Sequence, residues 1–308
     1  MYYIKLFDLD SEYNNYIQLE DALLPNVSLV QEITKLYYNP IKKQINYFGF
    51  TAIEDSTIIL TANNSDESFE PTVNLEYSKD GNVWTTWDYS NIQLLTGESV
   101  YLRGNNPNGF SILDDSNTII YSFGTSTGKC NVHGNIMSLL HGDDFEDKYI
   151  IPNQYCFYAL FCTMTSNPNI SLVNAADLML PATTLADGCY YSMFANCTSL
   201  INAPVLSATT LANYCYTAMF MRCTSLVTAP QLPATTLTSN CYRGIFQDCT
   251  NINNITMLAT DISASDCLNG WVWGVSATGT FTKHPDMTSL PSGISGIPEG
   301  WTVVDYVA

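Results

Sequence analysis

The 308 residues hold 29 Asp+Glu against 11 Lys+Arg, a formal charge of -18, with 46% hydrophobic and 13% charged residues. The length exceeds what one hydrophobic core usually organises, so two or three compact units are expected, while the apolar content excludes a disordered chain and the low charge excludes a coiled coil. The acidic balance repels a phosphate backbone and gives no grip on anionic lipid, which excludes nucleic acid and membrane surfaces as partners.

At the start, Met1 to Asp10 (MYYIKLFDLD) carries acids where an export signal carries an uninterrupted apolar segment. No run approaches the roughly 18 apolar residues of a membrane span. A chain made and folded in a cytoplasm, with no signal peptide, no membrane insertion and reduced cysteines, is expected. Residues 1–45 are expected to be an N-terminal docking segment that packs on the next unit or stands apart, with Leu23-Leu24-Pro25-Asn26 as an internal turn.

Residues 46–128 read as β. Val73, Leu75 and Tyr77 alternate with polar residues, Asp80-Gly81 is a hairpin turn, Val83 to Trp87 returns, and Ser99 to Leu102 and Thr118 to Phe123 add strands. An immunoglobulin-like β-sandwich is the economical expectation. Residues 129–150 then join it to a repeat region over 151–270, closed by a C-terminal cap over 271–308.

The repeats announce themselves through cysteine. Cys189, Cys215, Cys241 and Cys267 are 26 residues apart, as are Cys197, Cys223 and Cys249. A fixed period in this range signals a solenoid of stacked coils. The copies read CYYSMFANCTSLINAPVLSATTL from Cys189, CYTAMFMRCTSLVTAPQLPATTL from Cys215 and CYRGIFQDCTNINNI from Cys241; a divergent copy begins at Cys156 (CFYALFC) and rejoins the pattern at Leu180 to Leu185 (LPATTL). Asp187, Asn213, Ser239 and Ser265 stand two residues before the first cysteine of each copy, and all belong to the residue types that cap helix N-termini. The apolar positions that follow, such as Cys189, Met193, Phe194 and Cys197, make one helical stripe. Each coil is therefore expected to carry a helix, then a short strand stopped by Pro204 or Pro230, then an extended Leu-Pro-Ala-Thr-Thr-Leu leg. One helix and one strand per 26 residues is a coil of the leucine-rich type. Stacking makes ladders of the cysteines and of Phe194, Phe220 and Phe246. The expected class is mostly β or α+β: sandwich, solenoid, cap.

The phrases CYYSMFANCTSL, CYTAMFMRCTSL and LPATTL resemble the BspA-like leucine-rich repeats of surface proteins of gut Bacteroidota and of virion proteins of the tailed, including crAss-like, phages that infect them. Asn135 to Asp144 (NIMSLLHGDD) is similar to the joining segment of those proteins, Gly296 to Tyr306 (GIPEGWTVVDY) to their closing strand, and Tyr3 to Pro40, with LLPNVSLV and YYNP, to an opening segment of phage members. The resemblance implies a non-enzymatic virion protein, attached to capsid or tail as a head fibre, decoration or adhesin. Its implied partners are other virion proteins, a host-surface glycan or protein, and further copies of itself. Bacterial members carry export signals, so the opening residues favour the phage reading over a bacterial surface adhesin.

The remaining motifs hold the candidate chemistry. A ladder spreads sulfurs along a line and holds no Cys-x-x-Cys pair, so buried thiols acting as small hydrophobes are expected in place of zinc, although the ladder spacing would admit disulfides. Gly124 to Lys129 (GTSTGK) lacks one spacer of a phosphate-binding loop and is read as a glycine-rich turn between domains. His133, His141 and His284 have no motif partners. Asp143, Asp144, Glu146 and Asp147 are a candidate calcium site, weighed against a solvated acidic turn. Tyr190, Tyr191, Tyr216 and Tyr242 are a candidate contact surface for sugar faces or a protein, weighed against tyrosines that cover the next coil. No cofactor is expected. A glycan-degrading enzyme is the competing class, and no carboxylate pair on a common framework supports it.

Overall fold

The computed structural model describes residues 2–5, 16–19, 46–63, 73–113, 118–162, 171–288 and 290–307. The chain is mostly β and divides into two compact units, 1–45 and 46–308. In the first, β1 (Tyr2–Lys5) pairs antiparallel with β2 (Tyr16–Leu19). The expected turn at Leu23 to Asn26 lies outside the described residues.

The second unit opens with two sheets over one core. Strands β3 (Phe48–Ala52), β4 (Ser56–Asn63), β5 (Leu75–Ser78), β6 (Thr85–Thr86), β7 (Ile92–Leu94), β8 (Ser99–Gly104), β9 (Ile112–Leu113), β10 (Thr118–Thr127) and β11 (Cys130–Asn135) are the framework. One sheet runs β7-β4-β10-β9; the other runs β11-β3-β8-β5-β6. Phe48, Phe50, Trp87, Phe110 and Phe123 fill the space between, all at most 2% exposed. The Asp80-Gly81 turn forms as expected: the Asp80 carboxylate accepts the N–H groups of Asn82 and Val83, and Gly81 takes a φ of 73°.

The boundary expected at residue 128 differs: Gly124 to Thr127 continue β10, and Gly128-Lys129 turns the chain from one sheet to the other, not from one domain to the next, because β11 pairs antiparallel with β3. Gly128 sits at φ 73° so close to the Asp55 carbonyl that a Cβ would overlap it, which is why glycine stands there. Beyond β11, the short helix α1 (Ser138–His141) lies under β8, its Ser138 hydroxyl donating to the Leu102 carbonyl and accepting the Phe48 N–H.

The same β11 pairs in parallel with β12 (Leu172–Asn174) and β13 (Leu178–Met179) of the first repeat. On the other side, the Phe123 N–H donates to the Leu160 carbonyl and the Ser122 hydroxyl to the Ala159 carbonyl. The two sheets thus act as the first layer of the stack. At the far end the strand row continues with β14 (Asn254–Met257), β15 (Thr280–Lys283) and β16 (Thr302–Asp305), all parallel.

The expected helices are not there. Over 187–197, 213–223, 239–249 and 265–275 the backbone is a row of linked turns with a left-handed residue at every fourth position: Gly188, Ser192 and Asn196, then Tyr214, Ala218 and Arg222, then Asn240, Gly244 and Asp248, then Asp266, Gly270 and Gly274. Alternate N–H groups close turns within the coil, as Tyr191 to Gly188 and Met193 to Tyr190. The others cross to the next coil, as Tyr190 to Cys215, Ser192 to Thr217 and Phe194 to Met219. Even Asp187, read as a cap, accepts the N–H of Asn213 one coil away. The physical reason is thickness. An α-helix with side chains is about 10 Å across, whereas coils joined by such bonds repeat at roughly 4.8 Å; a row one strand thick fits that repeat and a helix does not.

Candidate functional site

All ten cysteines are buried and free. The second thiol of each coil points at the coil before it: Cys197 Sγ lies 3.4 Å from the Phe161 carbonyl, Cys223 Sγ 3.2 Å from that of Phe194 and Cys249 Sγ 2.9 Å from that of Phe220. Burial pushes Cys130, Cys156 and Cys249 up to about 12 and Cys241 to about 11, and moves Cys189, Cys197, Cys215 and Cys223 upward as well. A thiol held neutral and sealed is neither a nucleophile nor a metal ligand at neutral pH. The phenylalanine ladder runs beside them, with ring centroids 5.0 Å apart from Phe161 to Phe194, 5.4 Å from Phe194 to Phe220 and 6.0 Å from Phe220 to Phe246.

The tyrosine expectation needs correction. Tyr190, Tyr216 and Tyr242 are not a contact surface: each is at most 2% exposed, and the three stack face to face at 5.7 and 6.1 Å, with Phe157 continuing the pile at 6.0 Å. Given the four-residue repeat of the turn rows, Tyr190, Tyr216 and Tyr242 stand one repeat before the buried Phe194, Phe220 and Phe246 and share their side of the row. Among the described residues, the hydroxyls of Tyr190 and Tyr242 have no hydrogen-bond partner. Tyr191, one position on, stays half-buried at the surface and meets Tyr158 at 5.2 Å and Tyr155 at 6.4 Å.

The four acids of the calcium candidate do not converge. Asp143 accepts from Arg103 Nη1 at 2.6 Å and from the Tyr47 hydroxyl, while Asp147 pairs with Lys148 at 2.9 Å. Asp144 lies in the single turn Gly142–Asp144. Among the described residues no group of three or more His, Cys, Asp or Glu side chains is placed to hold a metal ion. Arg103 ties this turn to the sheet: its Nε meets Glu76 at 2.7 Å and its guanidinium lies 4.2 Å from the Trp84 ring centroid. Burial, then the hydrogen bond to Asp143, pushes the Tyr47 phenol up to about 12.

His133 is half-buried and packs edge-on against Tyr101 at 5.7 Å, desolvation lowering its pKa. Near the end of the stack, Val272, Val275, Ile294, Pro298 and Glu299 line an open cavity of about 430 Å³ with a single carboxylate. Within the segment expected to cap the last coil, Trp273 is 55% exposed; Phe281 and Trp301 are buried, and the indole N–H groups of Trp271 and Trp301 donate to the Gly296 and Ser276 carbonyls. No helix among the described residues is long and apolar enough to cross a membrane. No protein-family model matches the chain, and neither a curated protein nor a solved structure matches it.

Proposed function

We propose that this chain is a non-enzymatic structural component of a tailed-phage particle: a BspA-like leucine-rich repeat solenoid on an immunoglobulin-like sandwich, fixed to capsid or tail and offering its outer faces for contact. The observation that carries the reading is where the reactive groups of the repeats go. Nine thiols, from Cys156 onward, and three phenols are taken up in packing one coil against the next, leaving the repeats a scaffold. Stiffness supports the same reading, since sheet and coils share backbone bonds and one core from Phe48 to Trp301. A stack of this kind is suited to spacing and presentation.

Composition of purified particles tests it. Peptides of this chain in virions banded to homogeneity are the expected result. Recovery only from the envelope of uninfected bacteria would replace the reading with a bacterial surface adhesin, and turnover of host capsule glycans by the pure chain would replace it with an enzyme.

A further inference from the structure

Four tyrosines of the first three coils remain at the surface while the others of the repeats are sealed inside. Tyr155, Tyr158 and Tyr191 are half-buried and Tyr214 is 37% exposed. Tyr155 meets Tyr158 at 6.0 Å with rings at 80°, and Tyr158 meets Tyr191 at 5.2 Å with rings at 44°. Tyr214, in the third coil, lies near enough to raise the pKa of Tyr155, although burial is the larger cause.

The arrangement is built rather than incidental. Gly188, at φ 63°, stands where a Cβ would overlap the Cδ1–Cε1 edge of the Tyr155 ring, so the glycine lets that ring pack against the next coil. Tyr158 packs on a small separate core of Ile120, Ala159, Cys162 and Ala195, with Met221 packed on the same core. Burial pushes the Tyr158 phenol up to about 12, so it stays a hydrogen-bond donor at any physiological pH.

We propose that Tyr155, Tyr158 and Tyr191 form a platform that binds a neutral sugar chain. Aromatic faces with a hydroxyl at the rim suit a hexose, which presents C–H groups on one face and hydroxyls around its edge. Charge decides against an acidic ligand: the carboxylate of Asp187 acts on Tyr155, and the chain carries a formal charge of -18. Geometry decides against an enclosed cation, because a cage needs a gap with each ring within about 6 Å of the ion, and these rings already touch one another. The proposal rests on the contact role argued above and names its ligand.

The test uses the full chain with neutral gluco-, galacto- and manno-oligosaccharides, their hexuronate counterparts and choline, followed by calorimetry and saturation-transfer NMR. The expected result is saturable binding of at least one neutral series, transfer to tyrosine ring protons, and a loss of about tenfold or more in affinity for Tyr191→Ala. Trp273→Ala, which alters an exposed aromatic elsewhere, should bind as the parent does. Should Tyr191→Ala melt early, Tyr158→Phe and Tyr191→Phe keep the rings and should weaken binding by removing hydroxyls. The platform is overturned if no neutral series binds, if hexuronates or choline bind as well, if only a protein partner binds, or if Trp273→Ala and not the tyrosine variants loses affinity. A chain found in virions that binds no sugar refutes the platform and leaves the particle role standing.

Discussion

Single residues in the stack are governed by the lack of water around them. The thiols are the sharpest case, because burial raises their folded pKa above the ordinary 9.0, to about 12 for Cys156 and Cys249. Below pH 9 both folded and unfolded chains keep the proton. As pH climbs past 9 only the unfolded chain releases it, so stability declines by about 1.4 kcal/mol per thiol per pH unit until the folded value is reached. Thermal melts between pH 8 and 11 should therefore show a steep alkaline loss of melting temperature, at the values set by those two pKa limits. In the same state a maleimide should label none of the ten cysteines, and all ten after denaturation; rapid labelling of the native chain would contradict the sealed ladder. Phe220, fully buried between Phe194 and Phe246, should cost about 3 to 5 kcal/mol when replaced by Ala, as read from denaturant midpoints.

For the element, what matters is whether the backbone can share its hydrogen bonds with a neighbour. The turn rows place a left-handed residue every four positions, and glycine occupies some of these sites while Ala218, Arg222 and Asp248 occupy others. Two glycines with nearly equal φ make a direct comparison. Gly270→Ala, at φ 62° with open space around it, should cost about 1 kcal/mol, the ordinary penalty of that backbone region. Gly188→Ala, at φ 63° against the edge of the Tyr155 ring, should cost about 2 to 3 kcal/mol, because the ring must leave as well. Equal melting shifts would mean that Tyr155 does not pack against Gly188. Far-ultraviolet circular dichroism should show little helix, despite four cap-and-stripe sequences that spell one.

Across residues 46–308 no internal boundary interrupts the core. Aromatic rings follow one another from Phe48 through Phe161 and Phe246 to Trp271 and Phe281, and backbone bonds cross from β10 and β11 into the first coil. Truncation before Gly270 removes Trp271, Phe281, Trp301 and both final strands, opening the edge of β14 and the end of the core. That product should aggregate; a soluble, cooperatively melting fragment would show that the last rungs are dispensable.

The sequence by itself determined the period, the positions sealed between coils and the hairpin at Asp80-Gly81. Each depends on which side chains avoid water and which backbone angles a residue tolerates, and both are local properties. Tertiary structure decided the rest. Cap residues and a 0, 4, 5, 8 stripe around Cys189 satisfy a helix and a turn row alike, and only the close spacing of neighbouring coils selects the thinner form. The same stacking swallowed Tyr190, Tyr216 and Tyr242, left Tyr191 outside to meet Tyr155 and Tyr158, and drew Asp143 away from its acidic neighbours to Arg103. Partners that come from another coil or another sheet leave no mark in the residues beside them along the chain.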